Sequence, residues 1–297
     1  LSINQSFINK FKKMLTIHKT DADSYYNNLF NPNVIIGNNS ITKDLRVVSQ
    51  ANKSLVTGFD WSDDISFFSA AEKCNGAGVC RQSVGRGVMC PSYKATRDEN
   101  FSTRGRANLL RKALNSNNPL KELSGKELKE ALDLCLGCKA CKTECPASVD
   151  MARLKSEYLY QTQKKQDKLE LWRIKNLGKI LKFGSKAPEL FNLIQNSTIA
   201  KKINKLEGAL PQLKSITLSK WWEHNKQIDN KYEVTVWVLC DIYTEYYDTQ
   251  AGKDLLNFLK SCKVNIELIN LDTSIIALIS KGLLNEAKQA LNRYCAK

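Results

Sequence analysis

"CLGCKACKTECP", residues 135–146, sets four cysteines in eleven positions and follows the last with a proline. The spacing is C-x2-C-x2-C-x3-C-P, with Cys135, Cys138, Cys141 and Cys145 as its thiols. Two-residue gaps let successive thiolates converge on one small centre. Gly137 permits backbone torsions that a side chain would hinder, and Pro146 turns the chain away after Cys145. Such a run reads as a ligand loop, and it raises the question of what each of the four thiols binds.

Two kinds of centre compete for it. Zinc ribbons also use C-x2-C pairs, but zinc rarely calls for four cysteines so close in sequence. The trailing proline belongs to the ferredoxin pattern, in which the fourth cysteine of a run ligates the other cluster. Upstream, "CNGAGVCRQSVGRGVMCP", 74–91, aligns as a degraded copy of the same run. Cys74 and Cys80 keep the outer positions, Ala77 stands where the middle cysteine would be, and Cys90 precedes Pro91. By the crossed rule, Cys90 completes a 4Fe-4S cluster with Cys135, Cys138 and Cys141. Cys145 crosses back to Cys74 and Cys80. Those three define a second centre, 3Fe-4S or 4Fe-4S with a different fourth ligand, and the alternative is that Cys74 and Cys80 are buried thiols.

Two features near the cysteines carry open readings. Gly76, Gly78, Gly85 and Gly87 are either ordinary loop glycines or allow backbone amides to approach cluster sulfurs. Arg104, Arg106 and Arg111, in "STRGRANLLRK" at 102–112, either stabilise a reduced cluster electrostatically or lie on a solvated helix face.

Composition narrows the class. The chain has 297 residues, 42% hydrophobic, enough for a real core and for two domains or one with appendages. No run approaches the roughly 18 apolar residues of a membrane helix. The start "LSINQSF" has neither an initiator Met nor a signal-peptide pattern, so a fragment of a longer protein is expected. Seven of the ten cysteines fall between 74 and 145, too uneven for a disulfide framework. Reduced thiols in a cytoplasmic compartment fit better, and Cys240, Cys262 and Cys295 read as core or surface thiols. The formal charge of +15 comes from 35 lysines and 10 arginines spread along the chain, without a nucleic-acid-binding signature. Nucleic acid is therefore not an expected partner, while the charge is compatible with nonspecific attraction to acidic surfaces, a partner protein or anionic lipid headgroups among them. His18 and His224 stand apart from other ligand-type residues and read as surface groups.

The organisation is mainly helical. Residues 1–20 have helical spacing of Phe7, Phe11, Met14 and Leu15. Residues 41–70 read as a connecting segment, and helices are expected at about 103–114 and 125–135. "SVDMARLKSEYLYQTQKKQ", 148–166, begins with Ser148 as a helix cap and puts Met151, Leu154 and Tyr158 on one face. Further helices follow over 167–222. "YEVTVWVLC", 232–240, is apolar enough for a buried strand. A helix near 249–260, a strand at 263–271 and a helix at 284–295 complete a β-α-β-α unit. Two parallel strands alone leave open edges and an uncovered face.

"AEKCNGAGVCR", "MCPSYKATRDENFSTRGRANLLR" and "DLCLGCKACKTECPASVDMARLKSEYL" closely resemble the iron-sulfur half of bacterial fused flavin and iron-sulfur dehydrogenases. These FAD-linked oxidases act on D-2-hydroxy acids such as D-lactate, D-2-hydroxyglutarate or glycolate. The similarity covers roughly 25–297 and is most specific over 71–160. "LFNPNVIIGNNSITKDLR", 29–46, looks like the end of their flavin domain, with Gly37 followed by Asn-Asn-Ser where a typical version reads close to "NPGKI". Residues 232–297 resemble the start of the cysteine-rich domain shared with heterodisulfide reductases, most clearly at "ISKGLLNEAK", 279–288. Where the family has a Cys-Cys-Gly-type element, this chain reads "DTSIIAL".

The resemblance implies four parts: the tail of an FAD-linked oxidase domain at 1–46, a ferredoxin-type 4Fe-4S dicluster domain at 47–165, a helical connector at 166–230 and a partial α/β domain at 231–297. It implies an electron-transfer module with no catalytic residue of its own, since FAD and its active site belong to an FAD-binding dehydrogenase domain, fused or separate. The acceptor is a quinone or a soluble carrier, and the setting is cytoplasmic or peripheral at the inner face of the cell membrane. A separate ferredoxin-like subunit of a glycolate or glycerol-3-phosphate oxidase complex is the alternative, and a zinc-stabilised interaction module is the third.

Overall fold

In a computed structural model, the structure describes residues 55–82, 87–204, 208–226 and 232–295. The expected helix at 1–20, the flavin-domain-like stretch at 29–46, His18 and Gly85 lie outside the described residues.

The cysteine-rich part is built from short helices. Helix α1 is Phe67–Glu72, α2 is Pro91–Thr96, α3 is Thr103–Leu114 and α4 is Pro119–Glu122. They are followed by α5 at Lys126–Asp133, α6 at Ala140–Glu144 and α7 at Met151–Gln161. Helix α3 starts where the Ser102 side chain accepts from Gly105 N–H, the ordinary remedy for an unpaired first-turn donor. A Cβ at Gly105 would lie 2.1 Å from Glu99 O, so only glycine allows this turn to pack so closely. Besides Gly105, the buried positions of α3 are Thr103, Arg106, Ala107, Leu110 and Ala113, the spacing of one helical face.

Leu110, Leu123, Leu132 and Leu154 are almost wholly removed from water in this core, each contributing about 1.5–3 kcal/mol. Cys74, Cys80, Cys90 and Cys141 are buried in the same core. Helix α7 buries Met151, Leu154 and Tyr158 as expected. Its cap, however, is Asp150, which accepts from Arg153 N–H. Ser148 is displaced from that role because it turns with φ +48° two residues earlier. From α7, the buried Glu157 carboxylate straps down the segment before α1, accepting from Gly58 N–H, Phe59 N–H and Trp61 Nε1–H.

The connector contributes α8 at Lys168–Lys175, α9 at Leu177–Gly184, α10 at Pro188–Gln195, α11 at Thr198–Asn204 and α12 at Leu218–Asn225. The remainder runs β1 at Thr235–Cys240, α13 at Ile242–Tyr246, α14 at Thr249–Ser261, β2 at Asn265–Asn270, α15 at Ile275–Ser280 and α16 at Leu284–Cys295. β1 and β2 are parallel, in register from Thr235 opposite Asn265 to Cys240 opposite Asn270. This is the mainly α architecture with a small α/β end that the sequence predicts.

Leu218, Trp222 and Leu256, from α12 and α14, pack with Cys240 and cover one face of the sheet. The other face is open, so β1 is not the buried strand its apolar sequence suggests: Trp237 is 69% exposed and Leu239 63%. Burial alternates along β1, because a strand covered on one side hides only every second residue. Residues 53–297 form one compact unit, in which Leu171 of α8 packs with Leu278, Leu283 and Ala287 near the C-terminus. Among the described residues no helix is long and apolar enough to cross a membrane.

Candidate iron-sulfur centre

The run 135–146 begins where α5 ends, with Cys135 N–H on Leu132 O at 3.0 Å. Gly137 then turns at φ +66° and Lys139 at φ +64°. The left-handed region is open to glycine, but it costs a residue with a Cβ roughly 1–2 kcal/mol. Lys139 is held there by an ion pair of its Nζ with Asp150 at 2.7 Å, the same residue that caps α7. These two turns and the single turn of α6 put Cys135, Cys138 and Cys141 around one pocket.

The fourth thiol comes from far away in sequence. Cys90 sits at φ +56°, directly before Pro91 opens α2. The loop leading to it is pinned to α6 by Glu144, whose carboxylate accepts from Val88 N–H at 2.9 and 3.1 Å and from Met89 N–H at 2.9 Å. Glu144 precedes Cys145, so one side chain ties the upstream run to the downstream one. As a result Cys90, Cys135, Cys138 and Cys141 line the same pocket. Cys90 and Cys141 are buried, Cys135 is half-buried and Cys138 is exposed.

Donors already point at two of the sulfurs. Met151 N–H, at the start of α7, donates to Cys141 Sγ at 3.4 Å, and Arg106 Nη1 donates to Cys90 Sγ at 3.6 Å. Burial pushes the Cys141 thiol up to about 11, against the lowering effect of Met151 N–H and with a further rise from Cys135. Without a metal such a thiol keeps its proton at neutral pH, and ligation must release it. The Cys90 thiol donates to Phe101 O at 3.2 Å, a bond that a ligating thiolate gives up.

Among the described residues no three His, Cys, Asp or Glu side chains converge as ligands of a single metal ion. Four thiols around one pocket, two of them with N–H donors at sulfur, form the donor set that a ferredoxin-type cluster uses.

The other three cysteines are less fully assembled. Cys74 and Cys80 are buried. Burial raises the Cys80 thiol, Arg104 N–H lowers it, and Cys90 and Cys74 raise it further, which makes both of those cysteines its electrostatic neighbours. Cys145 ends α6 and packs against the core that holds Cys74 and Cys80. It is not among the residues lining the Cys90 pocket. Cys240 is buried in the C-terminal unit, and Cys262 and Cys295 are exposed. His224 is exposed, with Nδ1 2.7 Å from Lys220 O.

The arginines divide. Arg104 pairs with Glu99 at 2.7 Å. Arg106, by contrast, does not lie on a solvated face: it is 2% exposed and lines the cysteine pocket. The helical spacing that buries Ala107 and Leu110 also buries position 106, so the signal was in the periodicity. Lys155 Nζ donates to Cys135 O at 2.7 Å, and burial lowers its ammonium while Cys135 raises it. Neither Lys155 nor Glu144 carries a sequence signal for its part, since both contacts depend on packing between distant segments.

Comparison with known proteins agrees with this geometry. Residues 70–149 match the 4Fe-4S dicluster domain. The chain is also 28% identical over 274 residues to the D-2-hydroxyglutarate dehydrogenase of Escherichia coli (strain K12), covering 75% of this chain and 26% of that protein. Against the enzyme of the same name from Pantoea ananatis (strain AJ13355) the identity is 26% over 274 residues, with the same coverage of 75% and 26%. The Pseudomonas putida enzyme is 28% identical over 187 residues, 50% of this chain and 18% of that protein. The chain thus spans about a quarter of the length of the first of these relatives. No solved structure matches it. The dicluster domain and these relatives bear out the resemblance to the iron-sulfur half of FAD-linked hydroxy-acid dehydrogenases.

Proposed function

We propose that this chain is the electron-transfer module of an FAD-linked D-2-hydroxy-acid dehydrogenase, with Cys90, Cys135, Cys138 and Cys141 as ligands of a 4Fe-4S cluster. The observation that carries the reading is the arrival of Cys90 in the pocket of the other three, 45 residues before Cys135 in sequence. A cluster held there supplies a one-electron station between a flavin donor and an acceptor such as a quinone or a soluble carrier.

The chain's own residues define that station. Gly137 and Lys139 hold the loop open around the pocket. Met151 N–H and Arg106 Nη1 donate to ligand sulfurs, which favours the more negative, reduced state. Cys138 is exposed and the neighbouring Leu136 is 74% exposed, so the pocket has a rim at which a redox partner can approach. Cys74, Cys80 and Cys145 are the proposed ligands of the second centre, supported by the burial of Cys74 and Cys80 in one core with Cys145 packed against it.

The test is ligand replacement in anaerobically prepared protein. Wild type is expected to carry iron and acid-labile sulfide in near-equal amounts. Cys90→Ser and Cys138→Ser should damage the same paramagnetic signal, while Cys145→Ser leaves it and alters only what Cys74 and Cys80 hold. Loss of the main signal in Cys145→Ser with its retention in Cys90→Ser would refute the crossed arrangement. Zinc as the sole metal would refute the function.

A further inference from the structure

Arg106 is a buried cation with no counter-charge among the described residues. Its side chain is 2% exposed. Nε donates to Ala131 O at 2.6 Å and Nη2 to Ser92 Oγ at 2.8 Å, both neutral oxygens. Nη1 reaches Cys90 Sγ at 3.6 Å. Among the described residues no carboxylate forms an ion pair with it. Glu99, in the turn before α3, is engaged by Arg81 and Arg104.

A guanidinium cannot shed its proton in a protein, and an uncompensated buried charge is costly. A second cation, Lys155, lies nearby, anchored on Cys135 O and set between the Asp133 carboxylate and Arg106. Lys155 has Asp133 beside it, whereas Arg106 meets two neutral oxygens and a cysteine sulfur, so negative charge on the cysteines is what would answer it. Thiols are neutral, so the charge appears when the thiolates are held as ligands.

We infer that Arg106 is the built-in counter-ion of the centre held by Cys90, Cys135, Cys138 and Cys141, tuning its reduction potential by charge as well as by hydrogen bonding. The inference rests on the reading of these four cysteines as cluster ligands. Reduction adds one electron from an external donor and no proton at Arg106, so the guanidinium's attraction for the site grows by one unit of charge. Arg106 therefore raises the potential. Ser92 acts with it as a positioning residue: its hydroxyl accepts from Nη2 and donates to Phe101 O at 2.9 Å, which fixes the guanidinium against Cys90.

The experiment is a redox titration, followed by the paramagnetic signal, of the full chain loaded anaerobically with iron and sulfide, with dithionite as the reductant. Arg106→Gln keeps hydrogen-bonding capacity and removes the charge; Arg106→Lys keeps the charge and loses the planar fork. At a fixed potential, Arg106→Gln should lower the ratio of reduced to oxidised centre about tenfold, equivalent to about 59 mV for one electron. Arg106→Lys should stay within about threefold of wild type. If Arg106→Gln loses its iron while Arg106→Lys stays loaded at a near-native potential, the charge is again the operative property. An unchanged potential in Arg106→Gln, equal drops in both variants, or loss of iron from Arg106→Lys overturns the inference. Absence of iron and sulfide from the wild type would instead refute the cluster reading itself.

Discussion

Replacing Glu157 with alanine tests the strap that holds the start of the iron-sulfur unit against α7. The carboxylate is fully buried. Oε1 accepts from Gly58 N–H at 3.0 Å and Gln161 Nε2 at 2.8 Å; Oε2 accepts from Phe59 N–H at 3.0 Å and Trp61 Nε1–H at 3.2 Å. Glu157→Ala strands the two backbone donors and the indole, while half-buried Gln161 keeps its bond to Val56 O. A buried donor left without a partner costs about 1–3 kcal/mol. Trp61 is 5% exposed and bears the full cost, whereas the amides of Gly58 and Phe59 are half-buried and fall near the lower end. The expected loss is about 3–5 kcal/mol, a large share of the roughly 5–15 kcal/mol that stabilises a domain. Glu157→Gln keeps the shape and one acceptor, so it should lose about half as much. Urea titration of the anaerobic, iron-loaded chain measures the global effect. Amide exchange at Gly58 and Phe59 reports the local one and should accelerate in both variants. A loss below about 1 kcal/mol in Glu157→Ala, with unchanged exchange at those amides, would refute the assignment of the strap to this carboxylate.

Two further predictions concern titration. The amides of Val88 and Met89 hold the Glu144 carboxyl below its usual value of 4.5. A depressed carboxyl contributes stability that is present above the unfolded value and lost as pH falls through the folded one. Protection of the Val88 and Met89 amides, relative to their intrinsic exchange rates, should therefore fall as the pH drops below the ordinary carboxyl range, and in Glu144→Gln it should be low with no such step; an identical acid step in the variant would refute the tie. Burial pushes the Cys240 thiol up to about 12, helped by Glu245 and Asp241. At pH 8 iodoacetamide should label the exposed Cys262 on the order of 100-fold faster than Cys240, and urea should abolish the difference. Comparable rates in the folded chain would count against a buried, protonated Cys240.

The cysteine run, its flanking helices and the β-α-β-α end were legible from residues alone because each is specified locally. Gaps of two residues, a left-handed Gly137 and a terminal proline determine how a short loop curves, whatever surrounds it. The period of Met151, Leu154 and Tyr158 likewise marks a buried face before any partner is known. The upstream half-site was readable only by analogy with the downstream one, since an interrupted repeat does not say where Cys90 ends in space. That depended on Glu144 catching the Val88 and Met89 amides, a contact across more than 50 residues. Tertiary packing also chose Asp150 over Ser148 as the cap, because the turn after Cys145 carries Ser148 past the helix start. It left Trp237 and Leu239 of an apolar strand uncovered, since helices α12 and α14 shield one side of the sheet. And it turned Arg106 from a candidate surface residue into a buried charge. Sequence periodicity can say that a position faces inward, but only the fold decides what a charge there must face.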